Sequence, residues 1–290
     1  MGDLSGRTAV VTGGASGIGL CLAEVFLRRG MKVVVADIEQ AALDRALESL
    51  QSMASSPEAV MAVVTDVTSA ESVNHLADQA FDRYGAVHIL CNNAGVGIKE
   101  AQRRLWTLTE HDWRWGFDVN VMGVVNGIRA FVPRMLGSGE AGHVVNTSSG
   151  NGGLTSLPTT PIYASSKAAV TSLTEVLHAQ LLMDGARLRA HLLFPGPHLV
   201  NTNILASERN RPEALRDGTP ETTYASMEEL ARNAGVHFKL TEPMEVAEAC
   251  LAGIENDQFW ILPASEAQDE RVRTRTASIL ARSNPVLPEG

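Results

Sequence analysis

The sequence predicts one α/β domain built on a doubly wound parallel sheet, and two observations indicate this fold class. Short, almost continuously apolar runs alternate with longer amphipathic stretches along most of the 290 residues. Such runs are typical of strands with helices on both faces, because neither face meets water. Strand–helix alternation over this length favours a single domain over 1–290 rather than two domains.

Seven short runs predict strands, and six longer stretches predict helices. The strands are expected at 8–11, 32–36, 60–64, 87–91, 143–146, 189–194 and 259–262. The helices are expected at 18–29, 40–53, 70–84, 109–136, 163–184 and 243–255.

Residues 203–242 break this alternation. They contain Pro212, Gly218 and Pro220 and no clear strand, and only the stretch from about 226 to 233 has helical spacing. Because ligands bind at the carboxyl ends of the strands in such sheets, an insertion here predicts a substrate lid, and a poorly ordered surface excursion is the alternative. Residues 264–290 predict a C-terminal tail with a polar, helix-like stretch at 270–282.

Composition and charge exclude several function classes. The chain has 24 Lys and Arg against 33 Asp and Glu, a net charge of −9, which argues against a nucleic-acid partner or an anionic membrane surface. The three cysteines form no pairing framework and the eight histidines lack metal-ligand spacing, so neither disulfides nor a metal site is expected. The sequence shows no signal-peptide pattern and no run of about 18 apolar residues, so we expect a cytoplasmic protein without a membrane span.

A glycine-rich turn follows the first predicted strand. The segment TGGASGIG (residues 12–19) lies between that strand and the first helix. Gly13 permits a tight turn, Gly17 lets the backbone approach a pyrophosphate, and Gly19 allows close packing of helix on strand. The N–H groups at the start of the helix then face the phosphates. The pattern predicts a dinucleotide cofactor.

An acidic residue stands where the adenosine ribose of such a cofactor belongs. Asp37 ends the second strand region, 18 residues after Gly19, and can accept hydrogen bonds from both ribose hydroxyls. The alternative is that Asp37 only caps the helix that begins near Glu39. Its carboxylate would repel the 2′-phosphate of NADP, and neither residues 38–40 nor position 14 holds a basic side chain, so the sequence predicts NAD.

Tyr163 and Lys167 are four residues apart in a predicted helix, so they share one helix face. A phenol with a pKa of about 10 is a poor base at neutral pH. A nearby ammonium group and a positively charged nicotinamide would lower that pKa, so Tyr163 could accept the proton of an alcohol. In isolation the pair could equally be solvated. Beside the glycine-rich turn, it predicts a hydride-transfer site.

Three motifs in order resemble those of the short-chain dehydrogenase/reductase family, namely TGGASGIG (12–19), NNAG (92–95) and YASSK (163–167). The resemblance implies an NAD-dependent oxidoreductase with a Rossmann-type fold and a seven-stranded parallel sheet, acting on a small molecule as a homodimer or homotetramer. The implied catalytic residues are Asn120, Ser149, Tyr163 and Lys167. The implied cofactor contacts are Gly13, Ser16, Gly17, Ile18, Gly19, Asp37, Ile38, Asp66, Val67, Asn93, Ala94, Gly95, Tyr163, Lys167, Pro195, Gly196, Leu199 and Thr202.

Each catalytic residue takes a role from the resemblance. Ser149 is expected to polarise the substrate oxygen, and Tyr163 to act as the general acid or base. Lys167 is expected to lower the pKa of Tyr163 and to hold the nicotinamide ribose. Asn120 is expected to serve a proton relay behind Lys167.

The sequence departs from the family pattern at two places. The family serine usually lies 13 residues before the tyrosine, but residue 150 is glycine and Ser149 lies 14 before Tyr163, so we expect a one-residue insertion, with Ser148 as the alternative. In PGPHLVNTN (195–203), the threonine lies seven residues after the proline rather than five, which indicates a two-residue insertion.

The segments FVPRML, NILASERNRPEAL and IENDQFWILP resemble dehydrogenases of benzylic alcohols in aryl ethers. We therefore expect a bulky or aromatic secondary alcohol or ketone, with steroid or polyketide-type ketones as alternatives. A catalytically silent NAD-binding regulator is the alternative function, which the intact catalytic set disfavours. The apolar stretches 109–136 and 163–184 predict a four-helix interface across a two-fold axis.

Overall fold

A seven-stranded sheet forms the centre of the molecule. The computed structural model describes residues 4–101, 103–218 and 239–286. Its strands are β1 (Thr8–Thr12), β2 (Lys32–Asp37), β3 (Val60–Val64), β4 (Ile89–Asn92), β5 (Gly142–Thr147), β6 (Leu188–Leu193), β7 (Leu199–Val200), β8 (Leu240–Thr241) and β9 (Trp260–Ile261). The main sheet has the order β3-β2-β1-β4-β5-β6-β9. All of its pairs are parallel.

Eight α-helices connect and flank the strands in the described ranges. They are α1 (Gly17–Arg28), α2 (Gln40–Met53), α3 (Ala70–Tyr84), α4 (Glu110–Phe117), α5 (Gly123–Ser138), α6 (Pro161–Met183), α7 (Pro243–Glu255) and α8 (Glu266–Ala281). Among these described helices, none has the length and apolar character needed to cross a membrane.

Helices cover both faces of the sheet. Val11 and Val35 belong to an apolar cluster with residues of α1, α2 and α7, whereas Val10 and Val34 belong to a second cluster with residues of α3, α5 and α6. Successive strand residues point to opposite faces, so both faces require apolar side chains. This explains the unbroken apolar runs, and the predicted doubly wound α/β fold is confirmed.

The helix predicted over 109–136 is interrupted. A π-helical turn (Asp118–Met122) separates α4 from α5. Asn120 lies in this turn without exposed surface and bonds to the backbone of Val96, in the loop after β4. Turns of this kind accommodate an extra residue and are frequent at functional sites.

Residues 203–242 contain a strand that the sequence did not predict. β8 pairs with β7 in a separate parallel sheet. Because β8 is only two residues long, it has no apolar run that would predict a strand. Short 3-10 helical segments occupy Asn203–Asn210 and Glu213–Leu215. The helical spacing noted at 226–233 lies outside the described residues. The tail helix α8 starts four residues earlier than predicted, because the Ser265 side chain caps it by accepting from the Gln268 N–H.

Candidate active site

The glycine-rich turn joins β1 to α1 at the carboxyl edge of the sheet. Gly13 and Gly17 have φ of +63° and +53°, a left-handed conformation that favours glycine. A Cβ on Gly19 would lie 2.0 Å from the carbonyl oxygen of Gly13, so helix and strand could not approach with any side chain there. The Ser16 side chain makes no capping bond to α1. The first-turn N–H groups are therefore not satisfied by this cap, which suits a phosphate ligand.

Asp37, at the end of β2, contacts both the turn and the start of α2. Its carboxylate accepts from the Ala15 N–H at 3.1 Å and from the Glu39 N–H at 3.2 Å. The capping contact that the sequence left as an alternative is thus present together with the contact to the turn. Burial raises the pKa of Asp37, and the amide hydrogen bonds oppose that rise. Ile38, beside it, is 45% exposed and so available to a ligand.

A basic residue lies closer to this edge than the sequence indicated. Arg209 bonds to Glu39 through two contacts, Nη2 to Oε1 at 2.5 Å and Nε to Oε2 at 3.2 Å, and Asn210 also donates to Glu39 at 2.8 Å. Residues 38–40 and position 14 hold no basic side chain, as the sequence shows, but Arg209 reaches Glu39 from a distant part of the chain because residues 203–210 cross back to the start of α2. The Arg209 contact lowers the pKa of Glu39, and the pair is a partly exposed ion pair.

The NNAG segment ties the turn to β4. The N–H groups of Asn93 and Ala94 both donate to the Thr12 hydroxyl, at 3.0 and 3.1 Å, and the Asn93 side-chain amide donates to the Thr12 carbonyl at 3.1 Å. A Cβ on Gly95 would lie 3.3 Å from Asn120 Oδ1 and 3.5 Å from Lys167 Nζ. This segment therefore contacts both the glycine-rich turn and the predicted catalytic residues.

Asp66 and Val67 follow β3 at the same edge. The Asp66 carboxylate accepts from the N–H and hydroxyl of Thr68, at 2.9 and 2.8 Å. The Val67 side chain packs against Gly123 at the start of α5, and its carbonyl accepts from Asn126 at 2.9 Å. The Asp66 carboxylate is thus engaged in its own turn.

Tyr163 and Lys167 share a face of α6, as predicted. Lys167 Nζ lies 5.7 Å from the centre of the Tyr163 ring and donates to the Thr147 carbonyl at 2.9 Å. Burial lowers the pKa of Lys167 to about 8. Burial also raises the pKa of Tyr163 above its usual 10, and the nearby Ser149 side chain offsets part of the rise. The expected lowering of the phenol pKa by Lys167 is therefore not a property of the protein groups alone.

The two candidate serines have different environments. Ser148 is buried, donates to the Lys167 carbonyl at 3.0 Å and shares a hydrogen bond with the Thr171 hydroxyl at 2.9 Å. Ser149 is partly exposed, accepts from the Asn151 N–H at 3.2 Å and lies near enough to the Tyr163 phenol to lower its pKa. The geometry favours Ser149 over Ser148 as the serine that faces a substrate.

The side chain of Asn120 is fully engaged. Its Oδ1 accepts from the Val96 N–H at 2.8 Å, and its Nδ2 donates to the Val96 carbonyl and the Ser166 hydroxyl, both at 3.1 Å. These contacts fix the loop after β4 against α6. The Asn120 side chain thus has a structural connection to the site, and the predicted relay remains a prediction.

The segment after β6, in which the sequence pattern predicts a two-residue insertion, reaches the glycine-rich turn. Gly196, after Pro195, has φ of +69°, and a Cβ there would lie 2.5 Å from the Thr241 hydroxyl. A Cβ on Gly17 would lie 3.1 Å from the Thr202 methyl group. Leu199 is 41% exposed in β7. Thr202 therefore borders the same cradle as Gly17.

Two carboxylates with evident contacts to this site were not found from the sequence. Glu39 binds Arg209, and Glu100 accepts from the Ile162 and Tyr163 N–H groups at 2.6 and 2.8 Å. Both contacts join residues far apart in the chain, and neither carboxylate lies in a motif.

Comparison with known proteins gives the family. The model for short chain dehydrogenases matches residues 7–213, and the chain belongs to this family of oxidoreductases. A short chain dehydrogenase/reductase from Burkholderia phymatum, solved in complex with NAD, is 40% identical with a TM-score of 0.89 over 100% of both chains. A C alpha-dehydrogenase from Sphingobium sp. is 33% identical over 93% of this chain and 84% of that protein. A 1-deoxy-11-beta-hydroxypentalenate dehydrogenase from Streptomyces avermitilis is 35% identical over 91% of this chain and 87% of that protein.

The predicted family and its seven-stranded parallel sheet are therefore confirmed. The predicted NAD cofactor agrees with the ligand of the Burkholderia phymatum protein.

Proposed function

We propose that this protein is an NAD-dependent dehydrogenase that interconverts a bulky or aromatic secondary alcohol and the corresponding ketone. The observation that carries the proposal is the meeting of a tyrosine, a serine and a buried lysine beside the glycine-rich turn. Tyr163 and Lys167 lie on one face of α6, and the Ser149 side chain is near enough to the Tyr163 phenol to lower its pKa. A proton acceptor beside a dinucleotide cradle is what alcohol oxidation needs.

The chain's own residues fit NAD. A Cβ on Gly13 would lie 2.9 Å from the Ala94 Cα and one on Gly17 would lie 3.1 Å from the Thr202 methyl group, so the backbone of the turn stays free of side chains at both positions. The N–H groups at the start of α1 would hold the pyrophosphate, Asp37 the adenosine ribose and Lys167 the nicotinamide ribose. When bound, NAD supplies the acceptor for the hydride of the carbinol carbon.

Tyr163 takes the hydroxyl proton during oxidation and returns it during reduction. Ser149 donates a hydrogen bond to the substrate oxygen and orients it toward Tyr163. Burial works against the phenolate, so the ammonium of Lys167 and the positive charge of the oxidised nicotinamide must favour it. Because burial lowers the pKa of Lys167 to about 8, its help declines above that pH.

The substrate class draws support from the relatives and from residues 203–216. The similarity to dehydrogenases from Sphingobium and Streptomyces supports an alcohol as the substrate, since the Streptomyces protein is named for a hydroxylated compound. Arg211 is 4% exposed and bonds to Asp112 at 2.8 Å, which ties this segment to α4 near the site. These contacts support the proposal that 203–242 act as a substrate lid.

Cys21, Cys91 and Cys250 are free thiols, which supports a cytoplasmic location.

Tyr163→Phe tests the proposal. The variant lacks only the hydroxyl that exchanges the proton, so turnover should fall by about 10²–10⁴-fold while NAD affinity changes little. Turnover is followed by reduced-nicotinamide absorbance over a panel of aryl, steroid and aliphatic secondary alcohols, and affinity by calorimetry.

Tyr84→Phe is the matched control. Tyr84 is the last residue of α3, and its hydroxyl donates to the Glu58 carbonyl, so this substitution should leave turnover unchanged. Substantial activity in Tyr163→Phe would remove Tyr163 from the mechanism. NAD binding by the wild-type protein without turnover of any alcohol in the panel would favour the silent regulator.

A further inference from the structure

Glu100 caps the helix that carries Tyr163. It lies in the loop after β4 with no exposed surface, and its two carboxylate oxygens accept from the Ile162 N–H at 2.6 Å and the Tyr163 N–H at 2.8 Å. α6 begins at Pro161, so these are the second and third residues of the helix. First-turn N–H groups have no acceptor within their own helix, and the adjacent Thr160 provides no side-chain cap. A carboxylate from another part of the chain supplies the missing acceptors.

The loop that presents Glu100 is fixed on both sides. Before it, Val96 bonds through both backbone groups to Asn120, and the Gly97 N–H donates to the Ser207 hydroxyl at 3.2 Å. After it, Arg103 pairs with the buried carboxylate of Asp112 at 2.9 Å. The carboxylate is therefore presented by a loop that is bonded to α6 through Glu100, to the π-helical turn and to residues 203–210.

The charge of Glu100 suits its place. A negative group at a helix N-terminus is stabilised by the unpaired N–H groups and by the helix dipole. Burial raises the pKa of Glu100, and the hydrogen bonds from the Tyr163 and Ile162 N–H groups oppose that rise. The smaller effects of Asp112 and Arg103 are opposite in sign. The two hydrogen bonds to α6 are thus its main stabilising contacts.

We propose that Glu100 is a positioning residue for proton transfer, which fixes the first turn of α6 and so holds the Tyr163 phenol at the distance that reaction with the substrate requires. The proposal rests on the proposed role of Tyr163. Lys167 lies one turn further into α6 and has its own anchor at Thr147. Loss of the Glu100 contacts should therefore displace Tyr163 while leaving Lys167 and the cofactor cradle in place.

The test compares Glu100→Ala, Glu100→Asp and Glu100→Gln. Glu100→Ala removes both acceptors, Glu100→Asp keeps the charge but shortens the reach by one methylene, and Glu100→Gln keeps the reach with one good acceptor. We expect kcat to fall by about 10–100-fold in Glu100→Ala and Glu100→Asp, because small misplacements of reacting groups cost factors of this order. We expect Glu100→Gln to recover part of that loss, because it keeps the reach and one of the two acceptors. The Kd for NAD should stay within about twofold in all three, since the cofactor cradle does not depend on this contact.

Ser69→Ala is the matched control. The Ser69 side chain caps α3 by accepting from the Ser72 N–H, far in sequence from the proposed catalytic residues. Loss of this side chain should lower the free energy of unfolding, as the loss of a helix N-cap does, without changing kcat.

An unchanged kcat in Glu100→Asp, or a Kd for NAD that weakens in step with kcat, would overturn the proposal. If Glu100→Ala does not fold, Glu100→Asp against Glu100→Gln decides. In the Tyr163→Phe background, Glu100→Asp should cause no further loss of residual turnover, because the group that it positions is gone. Activity in Tyr163→Phe would refute the proposed function, whereas inactive Tyr163→Phe with fully active Glu100→Asp would refute only the role of Glu100.

Discussion

The charges around Asp37 predict how strongly the protein prefers NAD to NADP. In NADP, a 2′-phosphate carrying nearly two negative charges would lie beside the Asp37 carboxylate. Glu39 adds a second carboxylate at this edge, and Arg209 neutralises one of the two. One uncompensated negative charge therefore faces the phosphate.

The size of the preference follows from the distance between these charges. Two unit charges about 4 Å apart repel by about 4 kcal/mol at an effective dielectric constant near 20. Solvent reduces this figure, because Asp37 is only partly buried and Ile38 beside it is 45% exposed. A remaining penalty of about 2.7 kcal/mol corresponds to a ~100-fold preference for NAD in kcat/KM.

The perturbation that isolates this effect is Glu39→Gln. It removes one carboxylate and leaves the Arg209 guanidinium without its ionic partner, while Asp37 keeps its own contacts. We expect kcat/KM for NADP to rise by about tenfold or more, since an unpaired arginine is a good phosphate ligand. The value for NAD should stay within about threefold, because the ribose contact belongs to Asp37.

Steady-state assays with both cofactors measure the effect, and Glu39→Asp, which keeps the charge, is the control. Equal efficiency of the wild-type protein with NAD and NADP would show that Asp37 does not face the ribose. An unchanged value for NADP in Glu39→Gln would show that Arg209 does not reach the 2′-phosphate.

Three further predictions concern stability and assembly. Asp112→Ala leaves the buried Arg211 with only its longer contact to Glu208, at 3.5 Å, and should lower the free energy of unfolding by about 3–5 kcal/mol in chemical denaturation. Glu270→Ala, which breaks the exposed pair with Arg273, should change it by less than about 0.5 kcal/mol. Burial beside His191 lowers the pKa of His143 to about 3, so the unfolded chain binds a proton at higher pH than the folded chain does. The free energy of unfolding that is present above about pH 6.5 should therefore be lost toward pH 3, by up to about 1.4 kcal/mol per pH unit. His143→Phe should reduce this dependence when denaturation is measured at pH 7 and pH 5, and an equal dependence in both proteins would refute the assignment. The exposed Val176, Leu182 and Met183 of α6 fit the predicted four-helix interface, so light scattering at micromolar concentration should give a dimer or tetramer, and a monomer would contradict it.

The sequence predicted most elements of the fold because each strand is covered on both faces. β2, for example, has four consecutive fully buried residues, and its apolar run marks it without any tertiary information. The break between α4 and α5 could not be found in this way, since the apolar pattern continues through it. The break follows from the contact of Asn120 with Val96, which exists only in the folded chain. β7 and β8 are missed because two-residue strands produce no detectable pattern.

The same distinction between local patterns and long-range contacts separates the site residues that the sequence predicted from those that it missed. The glycine-rich turn, Asp37 and the pair Tyr163–Lys167 were predictable because strand–turn–helix spacing and helix periodicity place them locally. Glu100 and Arg209 were not, because their contacts join residues 63 and 170 positions apart. A buried carboxylate in a loop and an arginine in an irregular segment carry no local signal of their partners.

The two halves of the site are supported by different contacts, and this has a functional consequence. On the cofactor side, Thr12 accepts from Asn93 and Ala94 and holds the glycine-rich turn against the end of β4. On the proton-transfer side, Asn120 and Glu100 fix the following loop and the start of α6. These contacts are made by different side chains, so we expect cofactor affinity and turnover to respond to different substitutions. If the proposed lid holds, such a division predicts that changes in the loop after β4 and in residues 203–216 alter the choice of alcohol while the affinity for NAD stays constant, as one fold can serve many substrates.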